Sequence, residues 1–281
     1  MTTNTLPAPQ AHTAVIRRAT FSALIGKAVK DRAQIAAAAS FYMLLIGAVL
    51  GLLWPPLRDV FQKMPQGMTD LVAAISGGTD LTTTTGWANA ELLSLLAPAA
   101  AIVAGVMSAA AASAGEEEEK TLGLTLGAPV GRSGFLIAKM IAMSVTVLIV
   151  SVCVGLGLEL GNVIGNLGFT AAGMTGVAAH TLLFGVLFGA LAFLLGSATG
   201  SKRATTLVPT VVAVLAFAAN TFLPLNKSLA PGQKFSPWYY YLSSNPLAHG
   251  AAGGQLLLLA GVSVVLAIAA VLVFRARDLR G

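Results

Sequence analysis

Six long apolar runs, separated by polar stretches, dominate the pattern of the chain. They fall at 34–53, 92–114, 135–158, 173–196, 204–223 and 254–274. Each is close to the roughly twenty residues with which a helix crosses about 30 Å of hydrocarbon. The runs do not alternate apolar and polar positions, as the strands of a membrane barrel do. The pattern therefore predicts an all-α, polytopic membrane protein with six transmembrane helices.

The polar stretch before the first run has a pattern of its own. Residues 1–12 contain Pro7, Pro9 and scattered threonines, which predicts a mobile tail. Farther on, the apolar positions fall on one side of a helix, with Lys27 and Lys30 opposite; these positions are Phe21, Leu24, Ile25, Ala28 and Val29. Such a stripe predicts an interfacial helix on the headgroups. We therefore expect a tail and interfacial helix over 1–33 and a six-helix domain over 34–281.

Composition and charge agree with a membrane protein. Apolar residues make up 56% of the chain and charged residues 10%, whereas a soluble domain carries roughly a quarter charged residues. If the N-terminus is cytoplasmic, 13 of the 17 Lys and Arg residues lie inside and 4 outside, as membrane topology favours. We expect a multi-pass protein of the inner or plasma membrane with both termini in the cytoplasm. The basic residues lie between apolar runs rather than among clustered aromatics, which argues against nucleic-acid binding.

The first internal loop is the most informative stretch. Four carboxylates, Glu116 to Glu119, directly follow the second run, and they must stay hydrated because they repel one another and cannot enter lipid. A short amphipathic segment with Leu122, Leu124 and Leu126 comes next and ends at Pro129. This pattern predicts a small helix on the inner membrane face, with an acidic end available to a partner; a plain solvated loop is the alternative.

This loop resembles that of the permease subunits of type-two ABC exporters. The matching residues are Glu116, Glu117, Glu118, Glu119, Thr121, Leu122, Pro129, Val130, Arg132 and Lys139. The stretch 236–250 and the ending 274–279 are similar to the same family. Two features depart from its pattern, the length of the glutamate run and Lys120, where many members have Gly.

The resemblance implies a division of labour between chains. The loop would be a coupling helix that docks on a cytoplasmic ABC ATPase, through Glu116 to Glu119, Thr121, Leu122, Pro129 and Arg132. A second permease copy or paralogue would complete the path, and the exported substrate would be an amphipathic small molecule or lipid. ATP and Mg would bind the ATPase, so this chain would be a transporter subunit and not an enzyme.

The sequence itself offers no site for a nucleotide or a metal. A phosphate-binding loop needs G-x-x-x-x-G-K-[ST]. At the best match, Gly26-Lys27, Ala28 follows the Lys and Phe21 stands where the first Gly belongs. Cys153 is the one cysteine, so a disulfide or a CxxC metal site within the chain is excluded. We therefore expect no cofactor in this chain.

Specific residues of the sequence also fit two other functions. Glu159 and His180 are the polar residues deepest in the outer half of the predicted spans, which would suit an ion-coupled secondary transporter. The stretch Gly131-Arg-Ser-Gly134 matches the GxSG of intramembrane serine proteases, with Ser133 as nucleophile and His180 or His249 as base. Under either hypothesis, the alternative is that these residues only stabilise the fold and take no part in transport or catalysis.

Two further patterns concern packing. Trp238 and the three tyrosines after it predict a short interfacial element, whose rings either anchor at the headgroups or help to release substrate. Gly47 and Gly51, like Gly185 and Gly189, are four residues apart. This spacing lets helix backbones approach closely, either within the chain or between two copies.

Overall fold

A computed structural model describes residues 9–65, 67–68, 80–112 and 131–276. These residues form helices and connections, and the described ranges contain no strand. The helices discussed below are α1 (Pro9–Asp31), α2 (Ala33–Gln62), α3 (Thr84–Ala88), α4 (Leu96–Ala110), α5 (Arg132–Gly165), α6 (Ala171–Thr199), α7 (Lys202–Phe222), α8 (Pro237–Leu242), α9 (Pro246–His249) and α10 (Gly253–Ala276). Six stretches are long and apolar enough to cross a membrane, which confirms the all-α, six-span prediction.

The first span does not end where the sequence pattern ends. We expected it to stop at residue 53, before two prolines, but α2 runs through Pro55 and Pro56 to Gln62. Proline removes helix hydrogen bonds, yet tertiary contacts hold the last turns in place. The ring of Phe61 packs 6.3 Å from that of Trp87, centroid to centroid. The indole N–H of Trp87 donates to the carbonyl of Leu50 at 3.2 Å.

The second span is discontinuous. Its first turns form α3, whose N-cap is Thr83: the hydroxyl accepts from Gly86 N at 3.1 Å. A π-helical turn follows over Asn89–Leu93, and α4 starts only at Leu96. Pro98 explains part of this break, because it lacks the N–H that would otherwise bond to the carbonyl of Ser94. The Ser94 carbonyl is therefore open to another donor.

The N-terminal helix is longer than expected. Residues 9–12 belong to α1, so the predicted mobile tail over 1–12 is wrong for these four; residues 1–8 lie outside the described ranges. Proline is favoured at the first helical position, because its φ is already helical and its missing N–H would have no partner there. The predicted apolar stripe is the less exposed side of α1. Leu24 and Ala28 face the protein core, and α1 packs on α5.

At the centre of the bundle, α5 and α6 pack against each other. Helix α2 lies along α5, while α4 and α10 lie along α6. Helix α7 lies at the outside and touches α4 and α6.

Glycines make the contact between α2 and α5 unusually close. A Cβ atom added at Gly47 or Gly51 would overlap the backbone of Gly157 or Gly161. In the other direction, one added at Gly161 or Gly165 would overlap the carbonyl oxygen of Gly47 or Gly51. The five glycines therefore let two backbones touch, which is how packing contacts hold helices together in lipid.

The second glycine pair packs in the same chain. A Cβ at Gly185 would lie 2.6 Å from Val147 Cγ1 on α5 and 2.9 Å from the Ala101 carbonyl oxygen on α4. One at Gly189 would lie 2.6 Å from Met143 Sδ. Both predicted glycine pairs thus lie at helix contacts inside the chain rather than on an outer face.

Candidate functional site

The coupling residues expected from the sequence fall mostly outside the described ranges. These are Glu116, Glu117, Glu118, Glu119, Thr121, Leu122 and Pro129. Arg132, the last of the set, is exposed and begins α5. The described chain stops at residue 112, after α4, and resumes at residue 131, directly before α5.

A buried lysine marks this end of the bundle. Lys139 is 4% exposed, and it is the only buried Lys, Arg, Asp or Glu in the part of the chain that the structure describes. Its Nζ lies 5.4 Å from the centre of the Phe135 ring. Asp31 of α1 and Ser108 of α4 line the same small cavity as Lys139. Helices α1, α4 and α5 are therefore held together close to where the acidic loop joins them.

The structure separates Glu159 from His180. Gly185 of α6 packs against Val147 of α5, which fixes the alignment of these two antiparallel helices. On that alignment Glu159 and His180 differ by seven residues in depth, or about 10 Å. Glu159 is exposed and accepts a hydrogen bond from Asn162 at 3.3 Å, whereas His180 is fully buried. The two side chains do not form a common site.

His180 is hydrogen-bonded within its own helix and lies beside a side chain of α10. Its Nδ1 lies 2.9 Å from the Gly176 carbonyl, so Nδ1 carries the proton and Nε2 of the neutral ring is an acceptor. The Gln255 side chain is next to the ring, and its amide also reaches Ser243 Oγ at 2.8 Å. The Gln255 side chain thus brings the start of α10 next to His180.

The protease hypothesis does not agree with this geometry. Ser133 lies in the first turn of α5, and the alignment of α5 with α6 puts it nineteen residues in depth from His180, or about 28 Å. His249 is exposed after α9 and contacts the Ser244 carbonyl at 3.1 Å. A histidine that is to deprotonate a serine must reach it within hydrogen-bond distance. Neither histidine lies close enough to Ser133.

Among the described residues, no group of three or more His, Cys, Asp or Glu could hold a metal ion.

The aromatic segment is part of the core. Trp238 is 3% exposed and Tyr241 is 0% exposed, so the prediction that these rings anchor at the headgroups is wrong for both. Their rings pack 4.7 and 5.0 Å from that of Phe184, centroid to centroid. The indole N–H of Trp238 donates to the Ser94 carbonyl at 3.2 Å. This is the carbonyl that Pro98 leaves without its helical partner.

A second bond joins the same two regions. Asn89 Nδ2, in the π-helical turn, donates to Asn245 Oδ1 at 3.2 Å. Asn245 has a left-handed backbone conformation with a φ of 47°, directly before α9. The segment between α7 and α10 thus folds back into the bundle and holds the broken second span.

A groove of about 460 Å³ runs between α4 and α7. Its floor includes Trp238, and its walls are mostly apolar, with Val103 and Met107 on α4 and Val214 and Phe217 on α7. Two hydroxyl side chains of α7, Thr206 and Thr210, line it as well. The break in the second span and the buried aromatic segment therefore shape one end of this groove.

Comparison with protein families gives one assignment for the chain. The model of the ABC-2 family transporter proteins matches residues 23–279, from the middle of α1 to beyond α10. The chain belongs to the ABC-2 transporter family. It is therefore a multi-pass membrane permease component of an ABC transporter, and such a component is not itself catalytic. Comparison with curated proteins gives no match.

The seventh helix of this ABC-2 permease carries a polar stripe that our sequence reasoning missed. At 100° per residue, six of its seven polar positions lie within an arc of about 100°: Lys202, Arg203, Thr206, Thr210, Asn220 and Thr221. The seventh, Thr205, lies outside this arc and is buried. The side of the helix that carries the stripe lines the groove against α4. The sequence signal was the four-residue spacing of Lys202, Thr206 and Thr210, which apolar neighbours mask in a hydropathy profile.

Two threonines of the stripe, Thr206 and Thr210, are compatible with both apolar and polar surroundings. Thr206 Oγ1 donates to the Lys202 carbonyl at 2.9 Å, and Thr210 Oγ1 donates to the Thr206 carbonyl at 2.8 Å. Each hydroxyl proton is therefore satisfied within the helix, while the oxygen can still accept a bond. Such a surface suits a molecule with both apolar and polar parts.

Proposed function

We propose that this permease is one half of the membrane part of an ATP-driven exporter. It pairs with a second permease copy or paralogue and with a separate cytoplasmic ATPase, and it moves an amphipathic small molecule or lipid out of the cytoplasm. Family membership supports the transporter assignment. The position proposed for the substrate path rests on one observation, the polar stripe of α7 beside an apolar groove.

The weak coverage of α7 supports a second half on that side. Only 11% of its most apolar stretch is buried inside the chain, the lowest share among the six spans. Polar groups in a span usually face the interior of a bundle or a water-filled cavity, because lipid does not satisfy them. A second half placed against α7 would enclose the stripe and the groove between two protein walls.

The described residues on either side of the acidic loop, at the end of α4 and the start of α5, support a coupling mechanism. ATP and Mg bind the ATPase, and binding brings its two copies together. Glu116 to Glu119, Thr121, Leu122 and Pro129 contact the ATPase, and Arg132 carries the movement into α5. Since α5 contacts α2, α4 and α6, movement of its first turn reaches most of the bundle. The substrate is then exposed by alternating access, or taken up laterally from the inner leaflet.

Charge reversal in the acidic loop tests this mechanism. The chain should co-purify with its partner ATPase, and its presence should stimulate ATP hydrolysis. Changing Glu116 to Glu119 all to Lys should abolish both effects, because the cationic loop no longer complements the ATPase. Asp59 is an exposed carboxylate near the C-terminal end of α2, at the other end of the bundle from the start of α5. Asp59→Lys should therefore leave both effects unchanged. Full transport by the purified chain alone in vesicles without ATP would contradict the proposal.

A further inference from the structure

A second groove lies on the opposite side of the central helices. It has a volume of about 700 Å³ and runs between α5, α6 and α10. Residues 137–148 of α5 and 264–272 of α10 form its two walls, with 182–186 of α6 as the floor. Ser144 is the polar lining residue, and its hydroxyl is already bonded to the Met140 carbonyl at 3.0 Å. The groove therefore offers only apolar contact to whatever occupies it.

The groove has the length of one lipid leaflet. Residues 137 to 148 of α5 rise by about 16 Å, close to half of the roughly 30 Å hydrocarbon core. It begins near the start of α5 and the end of α10, which are neighbours because Phe135 and Phe274 stack with centroids 6.5 Å apart. It ends near the middle of both helices. The groove therefore matches the reach of the acyl chains of one leaflet rather than the length of a whole span.

The open end of the groove is basic. Arg275 follows Val271 and Leu272 by four and three positions, so it lies on the same face of α10 as these two lining residues. It is exposed at the last turn of the helix. Basic groups beside a groove between membrane helices favour anionic headgroups.

We infer that the groove between α5, α6 and α10 binds an anionic phospholipid of the leaflet on its basic side. The acyl chains lie along α5 and α10, and the phosphate lies beside Arg275. The site is distinct from the groove along α7, with which it shares no lining residue. Lipid binding there does not depend on the proposed direction of transport.

Native mass spectrometry of the full-length chain tests the headgroup part. The protein is purified with equal amounts of phosphatidylglycerol and phosphatidylcholine that carry identical acyl chains. The wild type should retain phosphatidylglycerol with a preference on the order of fivefold, the effect of one arginine near an anionic surface. Arg275→Gln should abolish the preference and Arg275→Lys should keep most of it. Lys30→Gln, an exposed cation at the same end, should not change it.

Filling the groove tests the acyl-chain part. Ala267 lines the groove, so Ala267→Phe should lower the retention of both lipids. Val265, two residues earlier, does not line it and is 65% exposed; Val265→Phe is the matched control and should retain lipid normally. Equal retention of both lipids by the wild type and by Arg275→Gln would overturn the inference. So would an efficient disulfide between two chains with Val264→Cys in a Cys153→Ser background, since a second copy would then occupy the groove.

Discussion

Helices α6 and α7 are consecutive and nearly equally apolar, with mean hydropathies of 2.1 and 1.9 in their most apolar stretches. Their surroundings are very different. In α6, 61% of that stretch is buried inside the chain, against 11% in α7. Hydropathy measures how well a helix tolerates apolar surroundings. Packed protein and lipid are both apolar surroundings, so hydropathy does not distinguish a helix covered by protein from one covered by lipid. The covered helix holds the fold together, and the uncovered one carries the surface on which the proposed transport depends.

Truncation of one side chain on each helix should show the largest difference. Phe184 on α6 is 0% exposed and touches Trp238, Tyr241 and Phe188. Phe184→Ala should cost about 3 to 5 kcal/mol of unfolding free energy, because it leaves a cavity among packed rings. Leu215 on α7 is 64% exposed. Leu215→Ala should change the stability by no more than about 0.5 kcal/mol, because neighbouring lipid fills the space.

Thermal unfolding in detergent or nanodiscs measures both variants in one experiment. Equal losses of stability in the two variants would show that α7 is covered by its own chain as well as α6 is.

The aromatic segment sharpens the comparison, because it connects both helices. Trp238 packs on Phe184 of α6 and on Phe217 of α7 and donates to the Ser94 carbonyl. Trp238→Phe keeps a ring but removes the indole donor, so a part-buried carbonyl loses its partner at a cost of about 1 kcal/mol. Tyr240→Phe, two residues later, is the control. If the two variants unfold at the same temperature, the Trp238 hydrogen bond does not hold the broken span.

Tyr241 adds a pH dependence to the covered side. Burial raises the pKa of its hydroxyl above the usual value, with a weaker opposite effect from Thr181 at 3.4 Å. Up to a pH of about 10 the ring is neutral in both states and its burial stabilises the fold fully. Above that pH the unfolded chain loses the proton first, so stability falls.

A Tyr241→Phe variant isolates this effect, which is the smallest of the series near neutral pH. There it should lose no more than about 0.5 kcal/mol, because a 3.4 Å O–H···O contact is weak. In chemical denaturation above pH 10, the wild type should lose stability faster than the variant. Parallel loss in both proteins would contradict the buried, neutral phenol.

The sequence predicts the spans well, because a run of about twenty apolar residues has few alternatives in a folded chain. It does not predict the ends of spans that tertiary contacts determine. One example is the end of α2, which continues past Pro55 and Pro56 because Phe61 packs on Trp87. Glycine spacing indicates close packing but not the partner. Only the structure pairs Gly47 and Gly51 with three glycines of α5.

The errors about the aromatic segment and α7 have a common cause. Trp and Tyr near a membrane boundary fit the headgroup region. Nothing in the local sequence indicates that Trp238 donates a hydrogen bond to the Ser94 carbonyl, 144 residues away. In the same way, the threonines of α7 are too few to lower its hydropathy. Their shared face becomes visible only when the helix is viewed along its axis.

Cysteine labelling on α7 tests the central claim, that its polar stripe faces a path which ATP binding opens and closes. In a Cys153→Ser background, Thr210→Cys places a thiol on the stripe. Val208→Cys places one on the opposite side of the same helix, 40% exposed and at nearly the same depth. Membranes that contain the partner ATPase are treated with a water-soluble thiol reagent, with and without Mg and a non-hydrolysable ATP analogue. The account predicts that the cysteine at 210 reacts at a rate that the analogue changes, while the one at 208 stays unreactive. Equal rates at both positions, or a rate at 210 that the analogue does not alter, would contradict it.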